Sequence, residues 1–275
     1  EQVFEGATAY QWGLKKEAVV VMIHTGSVSI GYPTALYIMD LLKQIYPKNL
    51  KYPANGIFPL PISEKYASIW DTFEMALHNA ANFAFCNRMF LGLLLEKIMC
   101  EHFGSCKFEL LYDSGHNLMW ETQHNEKTAF LHRKGACPAR GAAELQATPF
   151  AWTGEPVLIP GSMGATSFIL AGKGNEHSNF SASHGAGRSL SRGESLKYDD
   201  KLFQAFLKKF HIITPIDPER ADIKSRSDIL QKWHDELKKE APFAFKPLHP
   251  VIDTQVEAGI VSKVAETRPI FTVKG

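Results

Sequence analysis

The segment from Pro156 to Ala171 reads Pro-Val-Leu-Ile-Pro-Gly-Ser-Met-Gly-Ala-Thr-Ser-Phe-Ile-Leu-Ala and contains two short apolar runs around a loop with Gly and Ser. The runs Pro156 to Ile159 and Ser167 to Ala171 have the length and composition of strands. The loop at 160–164 follows a predicted strand, as phosphate-binding loops do, but it lacks the Lys of a P-loop. The segment therefore predicts two strands, and the loop is either an anion-binding loop or a tight structural turn.

Three further apolar pieces predict strands elsewhere in the chain. Two of them, Phe108 to Tyr112 and Thr128 to His132, precede the central segment and are bounded by turn-forming residues. The third, Ala18 to His24, is β-branched in its middle and is closed by Thr-Gly-Ser. We expect this piece to be a buried strand that delivers His24 to a loop.

The remaining pattern is helical. A long helix is predicted from Glu64 to about His102, with Ser63 as its N-cap and Gly104 as its C-terminal stop. Its second half, 85–99, is apolar almost all round, which is typical of a buried helix. Shorter helices are predicted at 197–210, 220–240 and 254–265. The expected fold is α+β, with β-sheets and flanking long helices, and since no linker interrupts the chain we expect a single domain over 1–275.

The composition excludes several classes of protein. The 275 residues carry 30 Lys and Arg against 29 Asp and Glu, and 45% are hydrophobic. A net charge of +1 excludes a polybasic nucleic-acid binder, and the apolar content excludes disorder. No apolar run reaches the roughly 18 residues of a membrane span. The chain begins without Met or a signal peptide, so it is expected to start within a longer protein, and its four irregularly spaced cysteines favour reduced thiols in the cytoplasm.

Three histidines stand beside Gly-containing turns: His24, His116 and His184. Gly beside an imidazole lets the backbone approach a ligand closely, and the imidazole itself can bind a metal or act as a nucleophile. Each histidine taken alone is equally well interpreted as a core or capping residue. The recurrence of the same setting three times favours a functional site.

Several polar segments are candidates for anion binding. Gly185-Ala186-Gly187-Arg188 follows His184 and resembles a nest of backbone amides beside a guanidinium, with Arg192 four residues further on. A basic run at 132–135, which includes Lys134, is either a phosphate-facing patch or a solvated loop. Polar residues also interrupt the long helix, where they either satisfy neighbouring backbone or face a polar site. These helix residues are His78, Asn79, Asn82, Asn87 and Arg88.

Taken together, these motifs resemble the RtcB family of RNA ligases, and the resemblance spans essentially the whole chain. The family joins an RNA 3′-phosphate or 2′,3′-cyclic phosphate to a 5′-hydroxyl. The matching motifs occur in the family's order along the chain. They are Val21 to Ser27, Ala81 to Ala84 with Asn87-Arg88, Gly115-His116-Asn117, His132 to Ala136, Pro160 to Gly164 with Ser167, His184 to Arg188 with Ser191-Arg192, and Lys274-Gly275.

The resemblance implies a GTP-dependent mechanism with two Mn²⁺ ions, used in tRNA splicing and RNA repair. His184 would be the histidine that becomes guanylylated, the GMP would pass to the RNA 3′-phosphate, and the 5′-hydroxyl would then expel it. Such phosphoryl transfers depend on charge neutralisation and positioning. By the same resemblance, His24 and His116 ligate a metal. The nucleotide and its phosphates would be held by His116, Asn117, Pro160, Gly161, Ser162, Met163, Ser167, His184, Gly185, Ala186, Gly187 and Lys274, and the RNA phosphate by Arg188, Arg192 and Lys134.

The chain departs from the family pattern in two respects. The family's Asp-x-Cys-Gly and Gly-Asn-His-Phe segments, which supply further metal ligands, are absent, so the expected catalytic domain is N-terminally incomplete and one metal site is only partly encoded. In addition, Val28 stands where the family usually has an arginine that binds the RNA terminal phosphate. A charge-assisted phosphate contact is worth about 1.5–3 kcal/mol. Substrate affinity is therefore expected to differ from that of the family.

These departures leave two alternatives to the ligase hypothesis: a non-catalytic RNA-end-binding pseudo-ligase, and a metal-dependent phosphoesterase. The expected partners are RNA with 3′-phosphate or 2′,3′-cyclic phosphate and 5′-hydroxyl ends, together with the missing N-terminal segment of the same protein. An activator protein is a further candidate partner, and no membrane partner is expected.

Overall fold

The computed structural model describes residues 2–61, 63–104, 108–124 and 126–275. The chain forms two compact units. Unit 1 consists of Glu1–Val20 and Met119–Gly275, and unit 2 consists of Val21–Leu118. The predicted single domain over 1–275 stays a prediction. Among the described residues, no helix combines the length and the apolar content that crossing a membrane requires.

Strands and helices both contribute, which confirms the predicted α+β class. The strands are β1 (Gln2–Val3), β2 (Asn117–His124), β3 (Lys127–Lys134), β4 (Ala136–Pro138), β5 (Pro156–Ile159), β6 (Ser167–Gly172), β7 (Ser181–Ser183), β8 (His211–Ile213), β9 (Val261–Thr267) and β10 (Phe271–Val273). The α-helices are α1 (Gly6–Gln11), α2 (Val28–Ile45), α3 (Ala67–Phe103), α4 (Arg192–Leu196), α5 (Asp200–Lys209), α6 (Ser227–Lys239) and α7 (Leu248–Glu257).

The main sheet of unit 1 has the strand order β1-β9-β6-β5, and its neighbours are antiparallel. Strands β5 and β6 pair from Pro156 opposite Ala171 to Ile159 opposite Phe168. Their apolar side chains are removed from water because the sheet is covered on both faces, which explains their continuous apolar sequences. The core around them consists of Cys137, Ala139, Val157, Ile159, Phe168, Leu170, Ala182, Ile252 and Val261.

The described residues also form three two-stranded sheets: β2 with β3, antiparallel β4 with β7, and parallel β8 with β10. A second core joins the loop after β5 to helices α5 and α6. It is built from Met163, Phe203, Leu237 and Ala241, with Phe206, Leu207, Phe210, Ile212, Trp233 and Phe243 packed around them.

Unit 2 contains the helices α2 and α3. The long helix α3 follows a 3₁₀ turn at Glu64–Tyr66 and ends at Gly104, whose φ of 78° confirms the predicted stop. Ser63 makes no side-chain capping hydrogen bond, so that part of the prediction is wrong. Helix α2 was not predicted, because Gly31 and Pro33 interrupt its pattern.

The prediction that the second half of α3 is buried is also wrong. None of the residues of α3 is buried, and apolar side chains such as Phe90 and Leu94 are 64% and 54% exposed. A helix that is apolar on all sides is expected to be buried, but its own sequence does not determine whether other elements pack against it. Within unit 2, α3 packs against α2.

Three strand or helix predictions need correction. The pieces 18–24 and 108–112 are irregular rather than strands. The segment predicted as one helix over 254–265 contains the end of α7 and the start of β9 instead. Gly259, with a φ of 65°, separates the two, and the β-branched residues after it pair with β6.

The expected reduced thiols are present at Cys86 and Cys137, whereas Cys100 is disulfide-bonded, contrary to that expectation. Cys106 lies outside the described residues.

Candidate functional site

Unit 2 brings together two of the predicted histidines, His24 and His116. Their Nε2 atoms lie 3.1 Å apart, and the rings meet edge to face with centroids 5.1 Å apart. Two nitrogens bound at 2.0–2.1 Å to one tetrahedral zinc would lie about 3.3 Å apart. The pair therefore has the spacing of two imidazoles on a single cation, and without a cation one ring can donate a hydrogen bond to the other.

The polar residues of α3 hold the loop that follows His24. Asn87 Nδ2 donates to Gly26 O at 3.1 Å, and Arg88 Nη1 donates to Thr25 O at 3.0 Å. Arg88 Nε also donates to Asp113 Oδ1 at 2.6 Å. Of the two interpretations of the polar stripe, satisfaction of neighbouring backbone is therefore correct for Asn87 and Arg88. That backbone belongs to the segment that carries His24.

His184 lies in unit 1, directly after β7. Its backbone N–H donates to Gly135 O at 3.0 Å, which continues the pairing of β4 with β7. Ser183 fixes the turn, because its Oγ donates to Gly185 O at 2.8 Å and its N–H donates to Gln255 Oε1 at 2.7 Å. The backbone of this histidine is thus held on both sides, while its ring is half-buried.

The turn after His184 contains two glycines that border open space. Gly187 has a φ of 70°, and its carbonyl accepts from Lys246 N at 3.0 Å. A Cβ at Gly185 or at Gly187 would meet no atom within 4 Å. Open space beside consecutive backbone amides is what an anion-binding nest requires. Ala186 between them is half-buried.

The loop between β5 and β6 is a tight turn for structural reasons. Gly161 N donates to Ser167 Oγ at 2.9 Å, and a Cβ at Gly161 would overlap the carbonyl oxygen of Thr166. Met163 is buried in the second core and so anchors the loop to α5 and α6. These contacts give Gly161, Ser167 and Met163 structural roles in the turn. The nucleotide-binding roles of Pro160 to Met163 and Ser167 stay predictions.

The predicted RNA-phosphate residues lie in different surroundings. Arg188 donates from Nε to Leu190 O and from Nη2 to Ser195 Oγ and Lys239 O, so carbonyl and hydroxyl oxygens occupy its guanidinium. Arg192 is 72% exposed, with Nε 4.0 Å from a Glu240 carboxylate oxygen. Lys134 is exposed at the end of β3.

Two further predicted residues lie at element ends. Asn117 is the first residue of β2, and the backbone N–H of Lys274 donates to Ile213 O at 2.8 Å. The side chains of both residues are exposed. Their predicted contacts with phosphate and nucleotide stay predictions.

Two residues of this arrangement were not predicted from the sequence: Asp113, which pairs with Arg88, and Gln255, which accepts from Ser183 N. Their partners lie 25 and 72 residues away along the chain. No local period or spacing signals a contact of that range.

Comparison with known proteins places these motifs in one family. The family model described as tRNA-splicing ligase RtcB matches residues 1–275. The tRNA-splicing ligases RtcB of Pyrobaculum aerophilum and Archaeoglobus fulgidus are 31% and 32% identical over 291 and 289 residues, which cover 100% of this chain and 56% of each relative. The RNA-splicing ligase RtcB of Mycobacterium bovis is 30% identical over 283 residues, covering 100% of this chain and 61% of the relative. The chain spans about half the length of the curated relatives it matches, and it belongs to the RtcB family of tRNA-splicing ligases.

Proposed function

We propose that this chain is the C-terminal catalytic part of a GTP- and Mn²⁺-dependent RNA ligase that works through a guanylylated histidine. It would join RNA 3′-phosphate or 2′,3′-cyclic phosphate ends to 5′-hydroxyl ends in tRNA splicing or RNA repair. The observation that carries the proposal is the pair of imidazoles of His24 and His116, whose Nε2 atoms are 3.1 Å apart within motifs of this family.

The metal assignment rests on the chemistry of that pair. Imidazole nitrogens are suitable ligands for divalent transition metals, and two of them at this spacing fit one ion. When bound, the metal would neutralise charge on the phosphates. His24 and His116 would supply two ligands, and the remainder would come from the Asp-x-Cys-Gly and Gly-Asn-His-Phe segments, which this chain lacks.

His184 is the proposed nucleophile. Its ring nitrogen would attack the α-phosphorus of GTP, the bond to the β-phosphate oxygen would break, and pyrophosphate would leave. A 3′-phosphate oxygen of RNA would then displace the histidine and take over the GMP. Finally the 5′-hydroxyl oxygen would attack the activated 3′-phosphorus, lose its proton and release GMP. A 2′,3′-cyclic phosphate end would first be hydrolysed by one water molecule to a 3′-phosphate and a 2′-hydroxyl.

The anion-binding groups around His184 would serve the positioning that phosphoryl transfer requires. The amides at 185–187 would face phosphate oxygens, because a Cβ at Gly185 or Gly187 would meet open space. Arg192 and Lys134, both exposed, are the proposed contacts to RNA phosphate. For Arg188, the hydrogen bonds to Leu190 O and Lys239 O support a role in fixing the turn, and its Nη1 lies 3.7 Å from a Glu240 carboxylate oxygen, so its contact with RNA phosphate stays a prediction.

The proposed partners follow from the reaction. They are RNA ends of the stated chemistry, the N-terminal segment that carries the other metal ligands, and an activator protein for guanylylation. The proposed location is the cytoplasm.

Intact mass spectrometry after incubation with GTP and Mn²⁺ tests the proposal. The chain would be measured alone and together with the N-terminal segment of a relative. We expect an acid-labile adduct of one GMP that disappears in His184→Ala and persists in His177→Ala, a matched histidine outside the proposed site. Absence of the adduct even with the added segment would contradict the ligase proposal.

Val28 favours a second candidate function, the RNA-end-binding pseudo-ligase. Its side chain is 65% exposed, and valine offers no charge to a phosphate. RNA binding that depends on Arg192 and Lys134, without any guanylylation, would support this candidate. Release of phosphate from RNA ends that does not depend on GTP would instead identify a phosphoesterase.

A further inference from the structure

The two histidine-bearing segments of unit 2 have irregular backbone. Residues 21–27 and 108–116 form neither helix nor strand, so no regular hydrogen-bond ladder sets the distance between them. The His24 and His116 Nε2 atoms are nevertheless 3.1 Å apart. The side chain of Arg88, on the regular helix α3, contacts both segments.

The contacts of Arg88 reach close to each histidine. Nη1 donates to the carbonyl of Thr25, the residue after His24, at 3.0 Å. Nε donates at 2.6 Å to the carboxylate of Asp113, which precedes His116 by three residues. The ion pair is largely shielded from water, since the side chains of Arg88 and Asp113 are 13% and 24% exposed. One guanidinium thus links both segments to the same turn of α3.

We infer that Arg88 is a positioning residue that sets the separation of the His24 and His116 imidazoles. The inference deepens the proposed function, since it rests on the assignment of these histidines as metal ligands. Arg88 does not touch the imidazoles in the contacts above and acts through Thr25 and Asp113. Residues that orient metal ligands in this way typically affect metal affinity by about 10- to 100-fold.

The guanidinium suits this role better than an ammonium. Its planar fork donates in fixed directions, so two of its nitrogens can hold two different segments at once. The Phe85 ring supports it, with the guanidinium carbon 4.6 Å from the ring centroid. Asn87 adds a parallel contact from α3 to Gly26 O at 3.1 Å. A lysine at position 88 could reach one segment but not both.

The alternative is that Arg88 only stabilises the fold, as a shielded ion pair does. The chain supplies a matched control in unit 1, where Arg140 donates to the buried carboxylate of Glu155 at 2.8 Å. Loss of that pair should lower stability without affecting the histidines. Comparing the two pairs separates a positioning role from a structural one.

The first arm of the test measures the affinity of the chain for Mn²⁺. Mn²⁺ alone is the probe, and electron paramagnetic resonance detects its binding. We expect Arg88→Met to weaken Mn²⁺ binding about tenfold or more, Arg88→Lys to recover part of the loss, and Arg140→Met to change only the urea midpoint. Arg88→Met binding Mn²⁺ as tightly as the wild type would overturn the inference. If His24→Ala leaves wild-type Mn²⁺ affinity unchanged, the proposed metal site is wrong, and the second arm alone decides on Arg88.

The second arm needs no metal. With ¹⁵N-labelled histidine, a hydrogen bond between the two rings produces a nitrogen–nitrogen coupling between His24 and His116. We expect this coupling in the wild type and in Arg140→Met, a weaker one in Arg88→Lys, and none in Arg88→Met. A coupling that persists in Arg88→Met, or one that is missing from the wild type, would overturn the inference.

Discussion

At the residue scale, Glu155 is a carboxylate with no exposed surface, and Arg140 balances its charge through Nε and Nη2. Breaking a buried pair by removing one partner leaves an uncompensated charge in the interior. We expect Arg140→Met to lower the free energy of unfolding by about 3 kcal/mol in urea titrations. The control is Lys97→Met in the exposed pair with Glu101, which should change it by about 0.5 kcal/mol or less. Equal effects of the two substitutions would contradict this prediction.

Cys137 illustrates what burial does to a thiol. Burial, followed by the nearby charge of Glu155, raises the pKa of Cys137 from 9.0 to about 12. The thiol therefore stays protonated and unreactive at neutral pH. We expect iodoacetamide at pH 8 to modify the exposed Cys86 in the folded protein, and Cys137 only after unfolding, as mapped on peptides.

The same pKa shift predicts a dependence of stability on pH. Because the folded pKa of Cys137 lies above the unfolded value, its contribution is complete below pH 9.0 and is lost as the pH rises towards about 12. A Cys137→Ala variant should lose less stability than the wild type over that range. An identical slope for both proteins would contradict the assignment.

The family resemblance predicts that Val28 replaces a phosphate-binding arginine, and the φ of Val28, 46°, is unusual for a β-branched residue. If the chain binds RNA ends, Val28→Arg should tighten binding of a 3′-phosphate oligonucleotide by about 10- to 100-fold. This range corresponds to the free energy of one charge-assisted hydrogen bond to phosphate, about 1.5–3 kcal/mol. Binding of the same oligonucleotide with a 3′-hydroxyl serves as the control and should change little. Fluorescence anisotropy at one fixed salt concentration would measure both.

At the scale of elements, an ion pair links helices α5 and α6. Lys238 on α6 is 3% exposed and donates to Asp200 Oδ1 on α5 at 2.6 Å and to Leu196 O at 3.0 Å. The hydrogen bond from Lys238, and then its charge, lower the pKa of Asp200 below 3.8. The carboxylate therefore stabilises the fold above its unfolded pKa, and this contribution is lost as the pH falls through the lower folded value.

Asp200→Asn tests this link between the helices. We expect a lower Tm than that of the wild type at pH 7, because Lys238 loses its charged partner, and a difference that narrows as the pH falls below 3.8. The comparison variant is Asp222→Asn, whose partner Arg220 is exposed, and it should change Tm little at pH 7. Differential scanning fluorimetry over this pH range measures both. A difference between Asp200→Asn and the wild type that does not vary with pH would contradict the prediction.

Elements were predictable from the sequence where local pattern and packing agree. Strands β5 and β6 matched to within one residue, because burial on both faces requires a continuous apolar run. The run at 18–24 has the same composition but forms no strand, since a strand also needs a neighbour that the run itself does not encode. The helix predicted over 254–265 failed at Gly259, where one left-handed residue changes the direction of the chain.

The candidate site was predictable in its residues more than in its contacts. His24 and His116 were predicted from their Gly-containing turns and the family resemblance, and they do lie together. Arg188 was expected to face a phosphate, but Leu190 O and Lys239 O accept its hydrogen bonds. Contacts between residues that are distant along the chain determine which partner such a side chain binds. A single sequence contains no periodic pattern that indicates these contacts.

At the scale of the whole molecule, apolar side chains along α3 face solvent. Phe90 and Leu94 are four residues apart, and hence on one face of the helix, and both are more than half exposed. Contiguous apolar surface of this kind promotes association. We expect the chain alone to bind the dye ANS and to self-associate in sedimentation velocity.

Phe90→Lys with Leu94→Lys should reduce both effects without lowering Tm, because neither side chain is buried. Leu110→Lys provides the comparison, as a single side chain of 82% exposure outside the helices. Dye binding that falls equally in both variants would contradict a role for the α3 face.

The pairing of β1 with β9 also constrains how the chain is made. Gln2 of β1 lies opposite Glu266 of β9. Strand β1 therefore cannot pair with β9 until another 264 residues have been synthesised. At about 5–20 residues per second, a ribosome takes roughly 13 to 53 s to cover that distance. Strands β5 and β6 lie close together along the chain and can pair well before then, which leaves one edge of β6 open until β9 emerges. During that interval the open edge of β6 is exposed to other nascent chains that are being translated from the same messenger RNA. Slower translation between β6 and β9 should therefore increase the dependence of the chain on chaperones.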